Sequence, residues 1–189
     1  MKRALAVTIL VAVLAATMLL PGCGKDKARE YSEEARSSYI SAKAVLAGLQ
    51  EFPSEMEEML RSGDLNGIAE QARESIEYSR ELVNSANAAF RDCREKCELV
   101  KQEGYEDFIA YADMLLQLVD LNQQVINAYS EYMGLSSTLL ENLPYQGDPG
   151  LLMPTLTYLD ETTSRINELM EQIRQLEEET EEYYRTLTE

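Results

Sequence analysis

Apolar residues recur along most of the chain at alternating steps of four and three, the spacing of one face of a helix. Four such stripes extend over residues 28–59, 69–100, 108–140 and 155–187. A helix of roughly 35 residues is about 50 Å long at 1.5 Å per residue. The pattern therefore predicts an all-α protein built from four long helices.

The third stretch carries two adjacent stripes, one from Tyr111 to Leu139 and the other from Phe108 to Leu140. Two neighbouring stripes form a broad apolar face that contacts more than one helix, which is typical of a bundle. Because the connections are short, we expect an antiparallel, up-down-up-down four-helix bundle with coiled-coil-like packing.

Two positions interrupt the stripes. Pro53 lacks an N–H and must break or kink the first helix, and Ser54 with Glu57 predicts a capping box where the helix restarts. Gly104 favours a tight hairpin between the second and third helices, since glycine with Asp107 makes a poor pair in an apolar stripe. The alternative is one helix from Leu65 to Leu143 in an elongated three-helix coiled coil.

The chain begins with a basic pair, Lys2 and Arg3, and an uncharged stretch from Ala4 to Leu20, as in a signal peptide. This stretch ends in Leu20-Pro21-Gly22-Cys23, which resembles the lipobox of bacterial lipoproteins. The resemblance implies removal of residues 1–22, a diacylglycerol on the sulfur of Cys23 and acylation of its amino group. Several acyl chains would anchor the protein stably to a membrane. A retained transmembrane anchor or cleavage without lipid is the alternative.

This resemblance predicts an extracytoplasmic protein on the cell membrane or on the periplasmic face of an outer membrane. The absence of Asp at position 24 favours the outer membrane where the cell has one. We expect residues 23–27 to form the lipidated cysteine and a short polar tether, and residues 28–189 to form a single helical bundle domain.

Charge and composition exclude several classes of function. The chain has 34 acidic and 17 basic residues, a net charge of −17 and no histidine. Such a chain repels nucleic acid, and without histidine it lacks the usual catalytic triads and the Glu-x-x-His motif of di-iron bundles. We expect no enzyme activity, no catalytic residue, no cofactor and no metal site.

Cys93 and Cys97 lie four residues apart on the second stripe, so we expect both to pack in the core. Because thiols oxidise outside the cytoplasm, a local disulfide is the alternative. Polar Asn122 and Ser136 interrupt the third stretch and are predicted to fix the register of the helices, the alternative being a ligand cavity. The acidic run at Glu177–Glu182 is predicted to be a solvated helix face.

The segment Pro144–Pro154 is the one long irregular connection and holds three of the five prolines. Its apolar residues form a candidate recognition loop or cap the end of the bundle; they are Tyr145, Leu151, Leu152 and Met153. We expect this loop at the end of the bundle that carries the tether.

Two functions fit this sequence. The first is a lipid-anchored envelope protein that acts as an interaction or structural module, with another envelope protein or a second copy as partner. The second is a ligand-binding or sensory bundle with a pocket for a small apolar molecule or lipid in the interior near Tyr129, Tyr132 and Met133.

Overall fold

The computed structural model describes the backbone of residues 21–62, 65–142 and 149–188, and the side chains of residues 24–59, 69–141 and 153–188. The described chain forms five helices: α1 (Pro21–Ala47), α2 (Phe52–Ser62), α3 (Leu65–Glu103), α4 (Glu106–Asn142) and α5 (Pro149–Thr188). Since α2 continues the direction of α1, these two helices form one rod. Together with α3, α4 and α5 they form the predicted four-helix bundle.

Contacts between α1, α2 and α3 show that the first two helices act as one rod. Lys96 on α3 pairs with Glu34 on α1 at 2.5 Å, and Ser75 on α3 donates a hydrogen bond to Glu55 on α2 at 3.5 Å. Residue numbers rise along one rod as they fall along the other, so α3 is antiparallel to both α1 and α2.

The break between α1 and α2 occurs at residues 48–51, which form turns. Pro53 lies in the first turn of α2, where a missing N–H costs nothing. The helix begins at Phe52, so Ser54 lies inside it, and the predicted capping box at Ser54 is wrong. Leu49, Phe52 and Met56 are all buried, which confirms that the apolar stripe keeps its register across the proline.

Gly104 forms the predicted hairpin between α3 and α4. Its φ is +80°, a left-handed conformation that side-chain-bearing residues rarely adopt, and its N–H donates to the carbonyl of Lys101 at 3.2 Å. The ammonium of Lys101 then pairs across the turn with Asp113 at 2.7 Å. The alternative of one long helix through Gly104 is therefore wrong.

The central helix of the bundle is α4, which packs against α1, α3 and α5. Both of its predicted stripes are buried, from Phe108 and Tyr111 to Leu139 and Leu140. Arg165 on α5 pairs with Glu131 on α4, and the two helices are antiparallel. The broad apolar face of this helix is thus explained by its three neighbours.

The two ends of the bundle are distinguished by the start of α1. A Cβ atom on Gly24 would lie 3.0 Å from the hydroxyl oxygen of Tyr105, so α1 begins beside the turn between α3 and α4. We call this the proximal end. The predicted tether, residues 23–27, belongs to the first turns of α1 rather than to an extended linker.

The opposite, distal end holds the junctions between α2 and α3 and between α4 and α5. The rings of Phe52 and Tyr132 meet there at 5.7 Å, because α4 runs parallel to the rod formed by α1 and α2. The last turn of α4 ends at Asn142, before the predicted recognition loop, whereas α5 begins at Pro149. Residues 149–154 of the predicted irregular segment are therefore helical, and that part of the prediction is wrong. The predicted position of the loop at the tether end is also wrong, since α4 ends at the distal end.

Among the described helices, none combines the length and the apolar character needed to cross a membrane.

Candidate functional site

The lipidation motif falls mostly outside the described residues. Residues 1–20 are not described, and Cys23 is described only as backbone in the first turn of α1. The signal peptide, the cleavage before Cys23 and its acylation therefore stay predictions from the sequence.

Cys93 and Cys97 are free thiols with fully buried side chains in α3. The hydrogen bond between the Cys97 and Cys93 thiols, and then burial, raise the pKa of Cys97 far above its usual value. A thiol with a raised pKa supplies little of the reactive thiolate at neutral pH. The pair therefore behaves as core packing and offers no nucleophile.

A polar chain crosses the core between α4, α1 and α5. The amide of Asn122 donates to the hydroxyl of Tyr39 at 3.3 Å, and that hydroxyl donates to the carboxylate of Glu177 at 2.6 Å. Lys43 completes the chain with an ion pair to Glu177 at 2.5 Å. Burial, followed by the bond to Glu177, raises the pKa of Tyr39, so the hydroxyl stays protonated and acts as a donor.

The acidic run on α5 has two different faces. Glu178, Glu179 and Glu182 are exposed, as predicted for a solvated face. Glu177 and Glu181 instead turn toward α1, where Glu181 accepts two hydrogen bonds from the Arg36 guanidinium at 2.7 and 3.0 Å. The prediction is wrong for these two residues. The two residues are four positions apart and lie next to the buried stripe of α5. This spacing is the signal that could have identified them.

The side chains of Ser136 and Tyr111 are buried, and their hydroxyl groups lack hydrogen bonds to any of the described residues. The ring of Tyr111 packs against that of Tyr184 with centroids 5.1 Å apart. Of the two polar residues predicted to fix the register, Asn122 therefore makes a specific contact between helices, and Ser136 does not.

The interior near Tyr129 is closely packed. Tyr129, Tyr132 and Met133 are all buried, and the cavity that Tyr129 lines holds about 40 Å³. A second crevice of about 230 Å³ lies between α1 and α5 beside Tyr39 and Leu118. Both volumes are smaller than the roughly 300–1,000 Å³ typical of sites for small molecules.

The candidate recognition loop is described only at its end. Tyr145 lies outside the described residues, and so do the side chains of Leu151 and Leu152. Met153 is 60% exposed, and Leu156 and Tyr158 in the next turn of α5 are 38% and 57% exposed. The distal start of α5 thus presents apolar side chains to solvent.

A second surface at the distal end is a groove of about 670 Å³ between α2 and α3. It is lined by side chains of mixed acidic and apolar character: Glu55, Glu58, Met59, Gln71, Glu74, Ser75 and Tyr78. Tyr78 is 60% exposed at the edge of this groove. The apolar stripes did not predict this surface, because none of these residues except Met59 belongs to a stripe.

Within the described part of the chain, no group of three or more carboxylate or thiol side chains is placed to hold a metal ion. Neither a protein-family model, nor a curated protein, nor a solved structure matches the chain.

Proposed function

We propose that this protein is a lipid-anchored, extracytoplasmic helical bundle that presents its distal end to another protein of the cell envelope. The anchor in this proposal is Cys23, which follows the lipobox-like sequence at the start of α1. Since α1 begins at the proximal end, an anchored bundle would hold the α2–α3 and α4–α5 junctions away from the membrane.

One observation carries the proposal: exposed apolar side chains concentrate toward the distal end. Of the five large hydrophobic side chains exposed in the described residues, four lie in the distal parts of α3 and α5, and Ile40 in α1 is the fifth. The four are Tyr78, Met153, Leu156 and Tyr158. Exposed apolar residues grouped in this way are typical of protein interaction surfaces.

The alternative of a small-molecule or lipid-binding bundle has less support. The interior near Tyr129 offers only about 40 Å³, which is too small for a metabolite or an acyl chain. The role that we propose for the bundle is therefore the binding of another protein.

The experiment is affinity capture of the tagged full-length protein from detergent-solubilised membranes, with the Cys23→Ala variant in parallel. Mass spectrometry of the N-terminal peptide should show Cys23 as the first residue, carrying acyl chains. A reproducible envelope partner should be recovered with the acylated protein and lost with the variant. An unmodified Cys23 within an uncleaved chain would contradict the anchor, and acylated protein recovered without a partner would contradict the interaction module.

A further inference from the structure

The groove between α2 and α3 has a chemical character that specifies its partner. We propose that it binds a basic polypeptide segment, with lysine or arginine side chains on its carboxylates and an apolar side chain against Tyr78 and Met59. This proposal deepens the proposed function and rests on it for the position of the groove away from the membrane.

The spacing of the lining residues fits an added helix. On α2, Glu55, Glu58 and Met59 lie at positions i, i+3 and i+4, which share one face of a helix. The residues from α3 extend from Gln71 to Tyr78, about two helical turns on one face. The two rows of side chains border a concave space, and a third helix can pack into a surface of this shape.

The charge of the groove is one-sided. Glu55, Glu58 and Glu74 contribute carboxylates, and no basic residue lines the groove among the side chains that the structure describes. Among the described residues, neither Glu58 nor Glu74 forms an ion pair with a basic side chain. Residues 51–81 contain nine acidic and three basic residues, a net charge of −6. Electrostatic complementarity therefore favours a positively charged partner and speeds its association.

The same charge excludes other occupants. A second copy of the chain carries a net charge of −17 and would be repelled, as would nucleic acid or an anionic lipid surface. A metal ion would need a cluster of ligands, and the described residues form none. The apolar part of the groove, Met59 with the exposed ring of Tyr78, adds the aromatic anchor that protein interfaces favour.

The test uses the full-length acylated protein in nanodiscs of zwitterionic lipid. The probe is a synthetic alanine-rich helical peptide with lysines on one face and a single leucine. The control peptide has glutamates in place of the lysines. Binding is measured by fluorescence anisotropy, with empty nanodiscs as the blank. We expect the lysine peptide to bind and the glutamate peptide not to bind.

Two triple variants locate the binding. Glu55→Gln with Glu58→Gln and Glu74→Gln neutralises the groove and should weaken binding about tenfold or more, because three charge pairs are lost. The control is Glu168→Gln with Glu179→Gln and Glu182→Gln, which changes the net charge equally on the exposed face of α5. It should change the affinity by no more than about twofold, because salt screens the long-range effect of the removed charges.

A second pair of variants tests the apolar anchor. Tyr78→Ser should weaken binding of the lysine peptide, while Ile40→Ser, at an exposed apolar residue of α1 outside the distal end, should not. Equal losses in both triple variants would show attraction to net charge alone and would overturn the proposal, as would unchanged affinity in the groove variant. If the peptide binds the groove although Cys23 proves unmodified, the anchor fails and the groove stands, so the two failures are distinguishable.

Discussion

The side-chain amide of Asn122 donates a hydrogen bond to the hydroxyl of Tyr39, 3.3 Å away, and joins α4 to α1 inside the core. The same amide donates to the carbonyl of Leu118 at 2.8 Å, and Tyr39 donates onward to Glu177 on α5. The two bonds through the Tyr39 hydroxyl form only when the three helices are aligned as they are here. We infer that this chain of bonds fixes their register, since a polar group in an apolar interior disfavours alignments that leave it unpaired.

Tyr39→Phe tests this role. The change removes the acceptor for Asn122 and the donor to Glu177, and we expect it to lower the free energy of unfolding by about 1–3 kcal/mol. Urea unfolding followed by circular dichroism measures the loss. Tyr78→Phe is the control, because Tyr78 is 60% exposed. Equal stability of the Tyr39→Phe protein and the wild type would contradict the inference.

Gly104→Ala tests the hairpin between α3 and α4. The backbone at Gly104 has φ +80°, so a Cβ is strained there although no atom lies within 4 Å of its position. We expect a loss of about 1–2 kcal/mol in the free energy of unfolding. The matched control is Gly134→Ala inside α4, where the space is also open and a gain of about 0.5–1 kcal/mol is expected. Effects of the same sign at both positions would be inconsistent with the hairpin.

Alkaline pH should destabilise the protein through its buried tyrosines. Burial raises the pKa of Tyr129 to about 12, and burial with the nearby carboxylates of Glu57 and Asp160 raises that of Tyr132 to about 12. The usual pKa of tyrosine, near 10, applies to the unfolded chain. Because the folded protein holds these protons more tightly, their contribution is complete below about pH 10 and is lost as the pH rises toward about 12.

The expected loss is on the order of 2 kcal/mol for each tyrosine across that range. Denaturant unfolding at a series of pH values gives the profile, and tyrosinate absorbance gives the ionisation of the folded protein. Burial also raises the pKa of Tyr39 and Tyr111, so these two residues add to the same decline. Removing one hydroxyl, with Tyr129→Phe, should therefore reduce the decline by about a quarter. A profile with no decline over this range would contradict the burial of the two hydroxyl groups.

The thiols of Cys93 and Cys97 should resist modification in the folded protein. Both are fully buried, and the raised pKa of Cys97 leaves little thiolate at neutral pH. In the Cys23→Ser variant, we expect a thiol reagent to react with neither cysteine until urea unfolds the bundle, and then with both. Rapid reaction of either thiol under native conditions would show that α3 packs less tightly than described.

Most of the fold could be predicted because burial in a helix bundle follows from a one-dimensional pattern. The apolar stripes identified the buried face of α3, α4 and α5, and the two stripes of α4 predicted its central position. In α1 the stripe missed Tyr39, which is buried one residue after the predicted position. Gly104 marked the hairpin because glycine and Asp107 interrupt the apolar stripe, and the positive φ at Gly104 agrees with that prediction. These features depend on neighbours in sequence, so they can be recognised without the structure.

The features that the sequence analysis missed depend on how whole helices are placed. The recognition loop was expected at the tether end, but the third rod of an up-down-up-down bundle ends opposite the start of the first, so α4 ends at the distal end. In residue type, Glu177 and Glu181 do not differ from the rest of the acidic run. Their ion pairs depend on the position of α1, which carries Arg36 and Lys43. The groove between α2 and α3 depends on how these helices diverge, which the apolar stripes do not record.

The most direct test of the central claim is photo-crosslinking in cells that produce the full-length protein. A photoreactive phenylalanine analogue replaces Tyr78 or Tyr158 toward the distal end, or Tyr183 near the end of α5 at the proximal end. The account predicts crosslinks to an envelope protein from a distal position, absent from Tyr183 and lost in the Cys23→Ala background. Crosslinks from Tyr183 alone, or distal crosslinks that persist without Cys23, would contradict a lipid-anchored bundle that binds its partner through the distal end.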